Sequence, residues 1–296
     1  MPGNDGLCFT EALLGSWWDC APLVPPYIAC MVPATMKTLT PAASANQRPP
    51  FSVLGVQIRN VTQREAIAML EKVIEQRDSW TAGVFFVNAH TLNAAAADPS
   101  YRAILNASNL VFADGTGVRW AARLQGVRVV DNMAGTDFVP AWFKATFDRG
   151  HSCFLLGGDP LTIELAADFA RRTFPGWRIS GYHDGYLTDN VSDGAVVDMI
   201  NAAKPDVLLV GMGNPLQEKW IHRHLSELRV PICMGVGGLF DYWAGNVSRS
   251  PSWLRRLGHE WLWRLFQEPR RMAGRYLIGN PAFLGRVLLE RWRSQG

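Results

Sequence analysis

Cysteine is scarce in this chain, and no two cysteines are spaced as a CxxC pair. The five that occur are irregularly placed, at Cys8, Cys20, Cys30, Cys153 and Cys233. Zinc sites and disulfide-stabilised scaffolds need closely or regularly spaced cysteines, so the sequence favours neither class. Cys153 and Cys233 lie in apolar runs and are predicted to be buried free thiols, as in a reducing cytoplasm.

A long apolar run is also missing. A transmembrane helix needs about 18–20 consecutive apolar residues, and no stretch of the chain reaches that length. The apolar segment at residues 21–34 is interrupted by four prolines, and it lacks the basic start of a signal peptide. Any contact with a membrane is therefore expected to be peripheral.

Two common nucleotide-binding motifs are absent as well. The chain contains neither the dinucleotide turn GxGxxG nor the phosphate loop GxxxxGK[ST]. An NAD(P)-dependent oxidoreductase would require the first of these, followed about 20 residues later by an acidic residue. That class remains a rival hypothesis without a supporting motif.

What the chain does have is a basic, aromatic tail. The 48 residues from Arg249 contain ten arginines, no lysine and three acidic residues, a net charge of +7, against +3 for the whole chain. The same segment holds Trp253, Trp261, Trp263 and Trp292. Arginine binds phosphate bidentately, and tryptophan favours the boundary between water and lipid. An anionic membrane is the favoured partner of this tail. A second rival hypothesis is that the protein is a non-enzymatic module that binds a membrane or nucleic acid. Nucleic acid is disfavoured because apolar side chains interrupt the run of positive charge.

Hydrophobic patterning divides the chain into three parts. Residues 1–50 show no periodicity and are predicted to be a disordered extension. Residues 51–248 alternate buried strands with amphipathic helices, which predicts an α/β body with a Rossmann-like, mostly parallel sheet flanked by helices. Residues 249–296 are predicted to form a C-terminal helical basic appendage that associates with membranes. The predicted strands are 83–87, 110–112, 153–156, 207–210 and 232–236, and the clearest helices are 62–76, 136–147, 161–174 and 215–228.

Polar and glycine residues cluster just after these strands, where open α/β sheets bind ligands. The segments are NAH at Asn88, ADGTGV at Asp114, FLLGGDP, GYHDGY, GMGNPLQE from Gly211 and MGVGGLFD from Met234. Glycines allow a close approach to a ligand, and helix N-termini favour anions, so the pattern predicts a nucleotide or sugar-phosphate site. Structural roles stay open: Asp114 fits a helix cap, and Gln217 and Glu218 fit a solvated first helical turn.

In this order, and together with AGTDF and LGHEWLWRLFQEPRR, the segments resemble the WecG/TagA/CpsF family of glycosyltransferases (glycosyltransferase family 26) from about residue 51 to 276. The resemblance implies an inverting, metal-independent enzyme without a cofactor. It implies transfer from a UDP-sugar to a polyprenyl-pyrophosphate-linked sugar, at the cytoplasmic face of the bacterial inner membrane. Family members can self-associate, so a homo-oligomer is allowed.

Within the family, the chain is most similar to the xanthan-type exopolysaccharide enzymes. This similarity implies a UDP-glucose donor and a β-1,4 linkage. The alternative is transfer of N-acetylmannosamine, or its uronic acid, to a lipid-linked N-acetylglucosamine. Residues alone do not separate these sugars.

The resemblance also implies roles for individual residues. Asp114 matches the catalytic base, while Arg264 and Arg271 match tail arginines that close over the site, with Arg275 a third. The implied substrate-binding residues are Asn88, Gly115, Gly211, Gly213, Gln217, Glu218, Gly237, Gly238 and Asp241, and no metal ligands are implied. Phe86 and Asn132 depart from the Thr and Arg that are frequent in the family. Without that arginine, phosphate neutralisation depends more on the tail arginines or on Arg119 and Arg123.

Overall fold

The computed structural model describes residues 48–77, 81–186, 193–251, 254 and 260–293 of the chain. The predicted disordered extension lies outside these residues, except for its last three positions. Trp253, Arg255 and Arg256 of the tail also lie outside the described residues, as does the side chain of Arg271.

A parallel sheet of six strands is the centre of the described fold. The chain first forms a small antiparallel hairpin, β1 (Phe51–Val53) and β2 (Val56–Ile58), beside this sheet. The parallel strands are β3 (Ala82–Val87), β4 (Leu110–Ala113), β5 (Ser152–Gly157), β6 (Arg178–His183), β7 (Val207–Gly211) and β8 (Ile232–Gly235). Their spatial order is β4-β3-β8-β7-β5-β6. The prediction of an α/β fold with a mostly parallel sheet is confirmed.

Three strands, β1, β2 and β6, were not predicted, and β6 differs from the predicted strands in burial. β3 is buried along its whole length, because helices cover both faces of a parallel sheet, and a continuous apolar run is the result. Strand β6 lies at the sheet edge and is only partly buried, with the sequence RISGYH. An edge strand of this kind carries no apolar run, so the search for buried strands did not find it.

Helices connect the strands and cover the sheet. In the body they are α1 (Gln63–Glu75), α2 (Ala89–Ala97), α3 (Pro99–Ala107), α4 (Thr116–Leu124), α5 (Gly135–Ala145), α6 (Pro160–Thr173), α7 (Asp193–Ala203), α8 (Leu216–His224) and α9 (Leu239–Trp243). The tail contains α10 (Glu260–Gln267), α11 (Pro269–Ala273), a π-helical segment (Gly274–Ile278) and α12 (Gly279–Arg293). Helix α1 begins with a capping box between Thr62 and Glu65, which is visible in the sequence as TQRE.

The core has two layers, one on each face of the sheet. Alternate residues of β3 point to opposite faces, so Phe85 and Val87 enter one layer while Val84 and Phe86 enter the other. The first layer packs against α2, α3, α4, α7 and α8, and the second against α1, α5, α6 and α9. This packing holds the strand ends, and the turns that follow them, in fixed positions.

The described part of the tail packs along the α/β body. Phe283 and Val287 of α12 are each only 1% exposed and join the first core layer. Asn93 of α2 donates a hydrogen bond to the Gly279 carbonyl (2.7 Å) and accepts one from Arg286 (2.6 Å). Over the residues that the structure describes, no helix combines the length and apolar character needed to cross a membrane.

Candidate active site

A cleft of about 1490 Å³ opens beyond the carboxyl ends of the parallel strands. Small-molecule sites typically measure roughly 300–1,000 Å³, so this cleft has room for two substrates at once. Of the residues predicted from the sequence, those that line it are Asn88, Asp114, Gly115, Gly211, Gly213, Gln217, Gly237, Gly238, Asp241, Arg264 and Arg275. Glu218 is buried behind the cleft wall, and the side chain of Arg271 lies outside the described part of the chain.

Asp114 and Asn88 lie together at the ends of adjacent strands. The Asn88 side-chain oxygen caps α2 by accepting hydrogen bonds from the backbone N–H groups of His90 (3.1 Å) and Thr91 (3.2 Å). Its amide nitrogen lies 3.4 Å from Oδ2 of Asp114. Because the N-cap position of α4 is Gly115, Asp114 is not the capping residue of that helix. Its half-buried carboxylate lines the cleft.

Asn132 shapes the turn that follows Asp114. Its side-chain oxygen accepts a hydrogen bond of 2.6 Å from the Gly115 N–H, and Gly115 adopts a φ of +89° that favours glycine. The sequence marked Asn132 only as a departure from the family pattern. In the structure it lines the cleft and holds the loop beside the predicted base. The neutral amide of Asn132 therefore holds the backbone of the Gly115 turn in place, but it supplies no positive charge to the cleft.

Two further glycine turns form the wall at β7 and β8. Gly213 and Gly237 have φ values of +80° and +55°, which a residue with a side chain adopts only with strain. The Gln217 side chain joins the turns, because its oxygen accepts a hydrogen bond of 2.9 Å from the Gly237 N–H. A methyl group at Gly235 would approach the Gln217 amide to 2.8 Å, so glycine is required there for close packing.

Glu218 is the next residue on α8 and is completely buried. Its carboxylate accepts hydrogen bonds from Gln217 (2.7 Å), from the Tyr101 hydroxyl (3.1 Å) and from the Asn214 amide. Burial raises the pKa of Glu218 to about 7, although these donors act in the opposite direction. The residue therefore supports the cleft wall from behind and has no surface on the cleft.

Arginines from the tail form another part of the cleft. The Arg264 guanidinium lies over the Tyr242 ring at 5.2 Å, and its Nε is 3.8 Å from the Glu268 carboxylate. A methyl group at Gly238 would lie 2.6 Å from Nη2 of Arg264, so the guanidinium sits directly against this turn. Its side chain is only 16% exposed, so the guanidinium is largely enclosed by the surrounding residues.

Arg275 lies in the π-helical segment and also lines the cleft. Its guanidinium is 5.8 Å from the Tyr276 ring. Burial lowers the pKa of His90, and the positive charge of Arg275 lowers it further, so these two side chains share the same part of the cleft. Arg119 of α4 adds another cation to the lining.

Several lining residues were missed in the sequence. Lys219, Trp220 and Arg223 line the cleft from α8, and Trp261 and Tyr276 line it from the tail. Arg223 lies three residues after Trp220 and four after Lys219, so the three side chains share one side of α8. This spacing could have been seen in the sequence. No local pattern marks the tail pair, whose rings lie 5.6 Å apart only because the tail folds back on itself.

A parallel α/β sheet whose edge combines glycine turns, a carboxylate and several arginines is typical of an enzyme site for anionic ligands. The family model described as "Glycosyl transferase WecG/TagA/CpsF family" matches residues 51–296. The chain belongs to this family and is a glycosyltransferase. The oxidoreductase alternative is therefore set aside.

Curated relatives match most of the same region. The chain is 33% identical over 204 residues to the N-acetylglucosaminyldiphosphoundecaprenol N-acetyl-beta-D-mannosaminyltransferase of Bacillus subtilis (strain 168), covering 69% of this chain and 78% of the relative. It is 28% identical over 235 residues to the enzyme of the same name from Staphylococcus aureus (strain MW2), covering 79% and 91%. Both relatives are named for an amino sugar, which favours the alternative in the sequence analysis over glucose.

Proposed function

We propose that this glycosyltransferase moves N-acetylmannosamine, or its uronic acid, from UDP to an N-acetylglucosamine held on a polyprenyl diphosphate. The observation that carries the proposal is a single cleft lined both by the strand-end carboxylate of Asp114 and by the cations of Arg264 and Arg275. The names of the relatives support an amino-sugar donor and a lipid-linked diphosphate acceptor. Transfer of glucose, expected from the xanthan-type resemblance, has no support among them and becomes the competing outcome of the test.

The proposed reaction is a single displacement. Asp114 takes the proton from the acceptor hydroxyl as its oxygen forms a bond to the anomeric carbon of the donor. The bond from that carbon to the UDP oxygen breaks, and the configuration at the carbon inverts. Negative charge then develops on the departing UDP, where Arg264 and Arg275 stabilise it electrostatically. Arginine fits this task because it stays protonated and binds phosphate oxygens bidentately.

A panel of radiolabelled donors tests the proposal directly. UDP-N-acetylmannosamine, its uronic acid and UDP-glucose are each supplied with two acceptors, N-acetylglucosaminyl- and glucosyl-pyrophosphoryl-polyprenol. We expect transfer of an amino sugar to the N-acetylglucosaminyl lipid, with activity retained in EDTA. Exclusive transfer of glucose to the glucosyl lipid would establish the competing sugar, and strict dependence on a divalent cation would overturn stabilisation by arginine alone.

A peripheral position on the cytoplasmic face of the bacterial inner membrane forms part of the proposal, because the acceptor is a lipid. Leu284, Leu288 and Trp292 recur every four residues on α12 and are 37%, 50% and 74% exposed. Phe283 and Val287 lie on the adjoining, buried side of this helix. Exposed Arg270, Arg291 and Arg293 accompany the apolar stripe. This combination suits the headgroup region of an anionic leaflet.

Substitution of the stripe tests membrane attachment. Burial of a large apolar side chain contributes about 1.5–3 kcal/mol, so the double variant Leu288→Ala/Trp292→Ala is expected to bind anionic vesicles at least about tenfold more weakly. Co-sedimentation with phosphatidylglycerol vesicles measures the loss. The matched control is Phe147→Ala, since Phe147 is 65% exposed in the turn after α5 and does not line the cleft. Equal sedimentation of the double variant and the control would refute attachment through α12.

A further inference from the structure

A buried carboxyl group lies directly behind the cleft wall. Glu218 has no exposed surface, and its Oε1 accepts hydrogen bonds from the side-chain amides of Gln217 and Asn214. Its Oε2 accepts the third hydrogen bond, 3.1 Å long, from the Tyr101 hydroxyl of α3. Burial of a carboxylate is costly unless it is paired or well hydrogen-bonded, and three converging donors offset part of that cost.

Two of the three donors, Asn214 and Gln217, connect this carboxyl group to the turns that form the cleft. Asn214 follows Gly213 in the turn after β7, and both residues line the cleft. Gln217 uses its amide nitrogen on Glu218 and its oxygen on the Gly237 N–H, at 2.7 and 2.9 Å. One group is thus connected to the β7 turn directly and to the β8 turn through a single intervening side chain.

We propose that Glu218 is a positioning residue that holds the Gly213–Asn214 turn and, through Gln217, the Gly237 turn in the shape that receives the donor. The role assigned to the turns as a donor site rests on the proposed function. The hydrogen bonds that connect Glu218 with Asn214, Gln217 and the Gly237 turn do not depend on the proposed function, and they can be tested without any transfer reaction. Glu218 therefore acts through Gln217 and Asn214 rather than by touching substrate.

The connection between Glu218 and the two turns is expected to depend on pH, because the charge of Glu218 does. Burial raises the pKa of this carboxyl group to about 7, so its charge changes close to neutral pH. A charged acceptor makes shorter and stronger hydrogen bonds than a neutral one, so protonation weakens the hold on Asn214 and Gln217. We expect both turns to respond to pH across this range.

Few other ionisable groups face Glu218. Helix α3 contributes Tyr101, whose pKa is raised by burial and by the Glu218 charge, and beyond its ring lies the Lys219–Asp98 ion pair at 2.9 Å. Strand β8 contains Cys233, in the core layer that packs against α8, and burial raises the pKa of its thiol. Strands β3 and β7, with the sequences AGVFFV and VLLVG, contribute none. On α8 itself, burial lowers the pKa of His222, four residues further along, so Glu218 is the group bonded to Asn214 and Gln217 that changes charge near pH 7.

The direct test follows backbone amides by NMR in protein labelled with ¹⁵N-glycine. In the wild-type protein, the Gly237 amide resonance is expected to shift with pH, with a midpoint near 7. The variant Glu218→Gln keeps the shape and an acceptor oxygen but cannot ionise, so the Gly237 shift should be absent. Gly150, which lies in the turn after α5, is an internal reference within each spectrum. A Gly237 shift that persists in Glu218→Gln, or is missing in the wild type, would overturn the proposal.

Kinetics supply the second readout. Glu218→Gln is expected to raise the KM for the donor roughly fivefold at pH 8, the factor that separates a charged from a neutral acceptor, with little change in kcat. Below pH 6 the two proteins should converge. Gln217→Met should show a similar KM effect, and the double variant should be no worse than the more affected single variant, because both break one connection.

Glu164→Gln on the exposed face of α6 is the matched control and should behave as wild type at every pH. A KM for Glu218→Gln that equals the wild-type value at pH 8 would overturn the proposal. Additive effects in the double variant would also overturn it. If no sugar is transferred by any protein, including wild type, the proposed function fails. In that case the pH dependence of the Gly237 resonance still tests whether Glu218 is connected to the Gly237 turn.

Discussion

Replacement of Asp114 by asparagine is expected to lower kcat about 10²–10⁴-fold, the usual contribution of a general base. The carboxylate lines the cleft at the end of β4, with Oδ2 held 3.4 Å from the Asn88 amide nitrogen. Asparagine has nearly the same shape and keeps an acceptor oxygen, but its amide cannot take the proton of an attacking hydroxyl. We therefore expect loss of the chemical step with an almost unchanged melting temperature.

Two measurements make this result interpretable. Initial rates with a labelled donor and a lipid-diphosphate acceptor give kcat, and thermal unfolding reports the folded state. Asp148→Asn, at an exposed position in the turn after α5, is the matched control and should transfer sugar at the wild-type rate. If Asp114→Asn kept near-normal transfer, the base would have to be another group.

Arg264→Ala is the second variant with a large expected effect, about 10²–10³-fold in kcat. This is the typical cost of removing one preorganised group that stabilises developing charge. Its guanidinium lies over the Tyr242 ring, near Glu268 and against the Gly238 turn. Preorganisation is what makes such a group effective, because little reorganisation remains at the moment of bond breaking.

Gly238→Ala tests the same guanidinium without removing it. The added methyl group would meet Arg264 Nη2 at 2.6 Å and Asp241 Oδ2 at 3.4 Å. The end of a long side chain moves at little cost, so we expect a stable protein in which Arg264 is displaced and kcat falls. Arg171→Ala, on the exposed face of α6, is the control for loss of an arginine. Normal rates in both Arg264→Ala and Gly238→Ala would show that Arg264 takes no part in the transfer.

Much of the body was predictable because its signals are local. β3 and β7 are continuous apolar runs, and the helices that follow carry caps or periodic apolar faces within a few residues. β6 was missed because an edge strand needs neither an apolar run nor alternation. The bounds of α2, α3 and α4 were also not predicted, because the burial of these helices depends on neighbouring elements.

The candidate site was predictable in outline for a different reason. Parallel strands bring their carboxyl ends to one edge, so Asn88, Asp114 and the glycine turns had to meet there once the fold was known. The roles of the individual residues could not be predicted from the fold alone. Glu218 was predicted to bind substrate, yet it is buried and reaches the cleft only through Gln217 and Asn214.

The sequence by itself thus determined the α/β body, the sheet edge at which the polar and glycine residues meet, and the family. Periodicity and strand-end residues are encoded over short stretches, so they can be recognised one segment at a time. Only the tertiary structure decided which charges act together. It placed Arg264 of the tail against Gly238, and it joined Tyr101 to Glu218 across 117 residues. Such contacts arise when separate helices pack on one core, and no short stretch of sequence contains both partners.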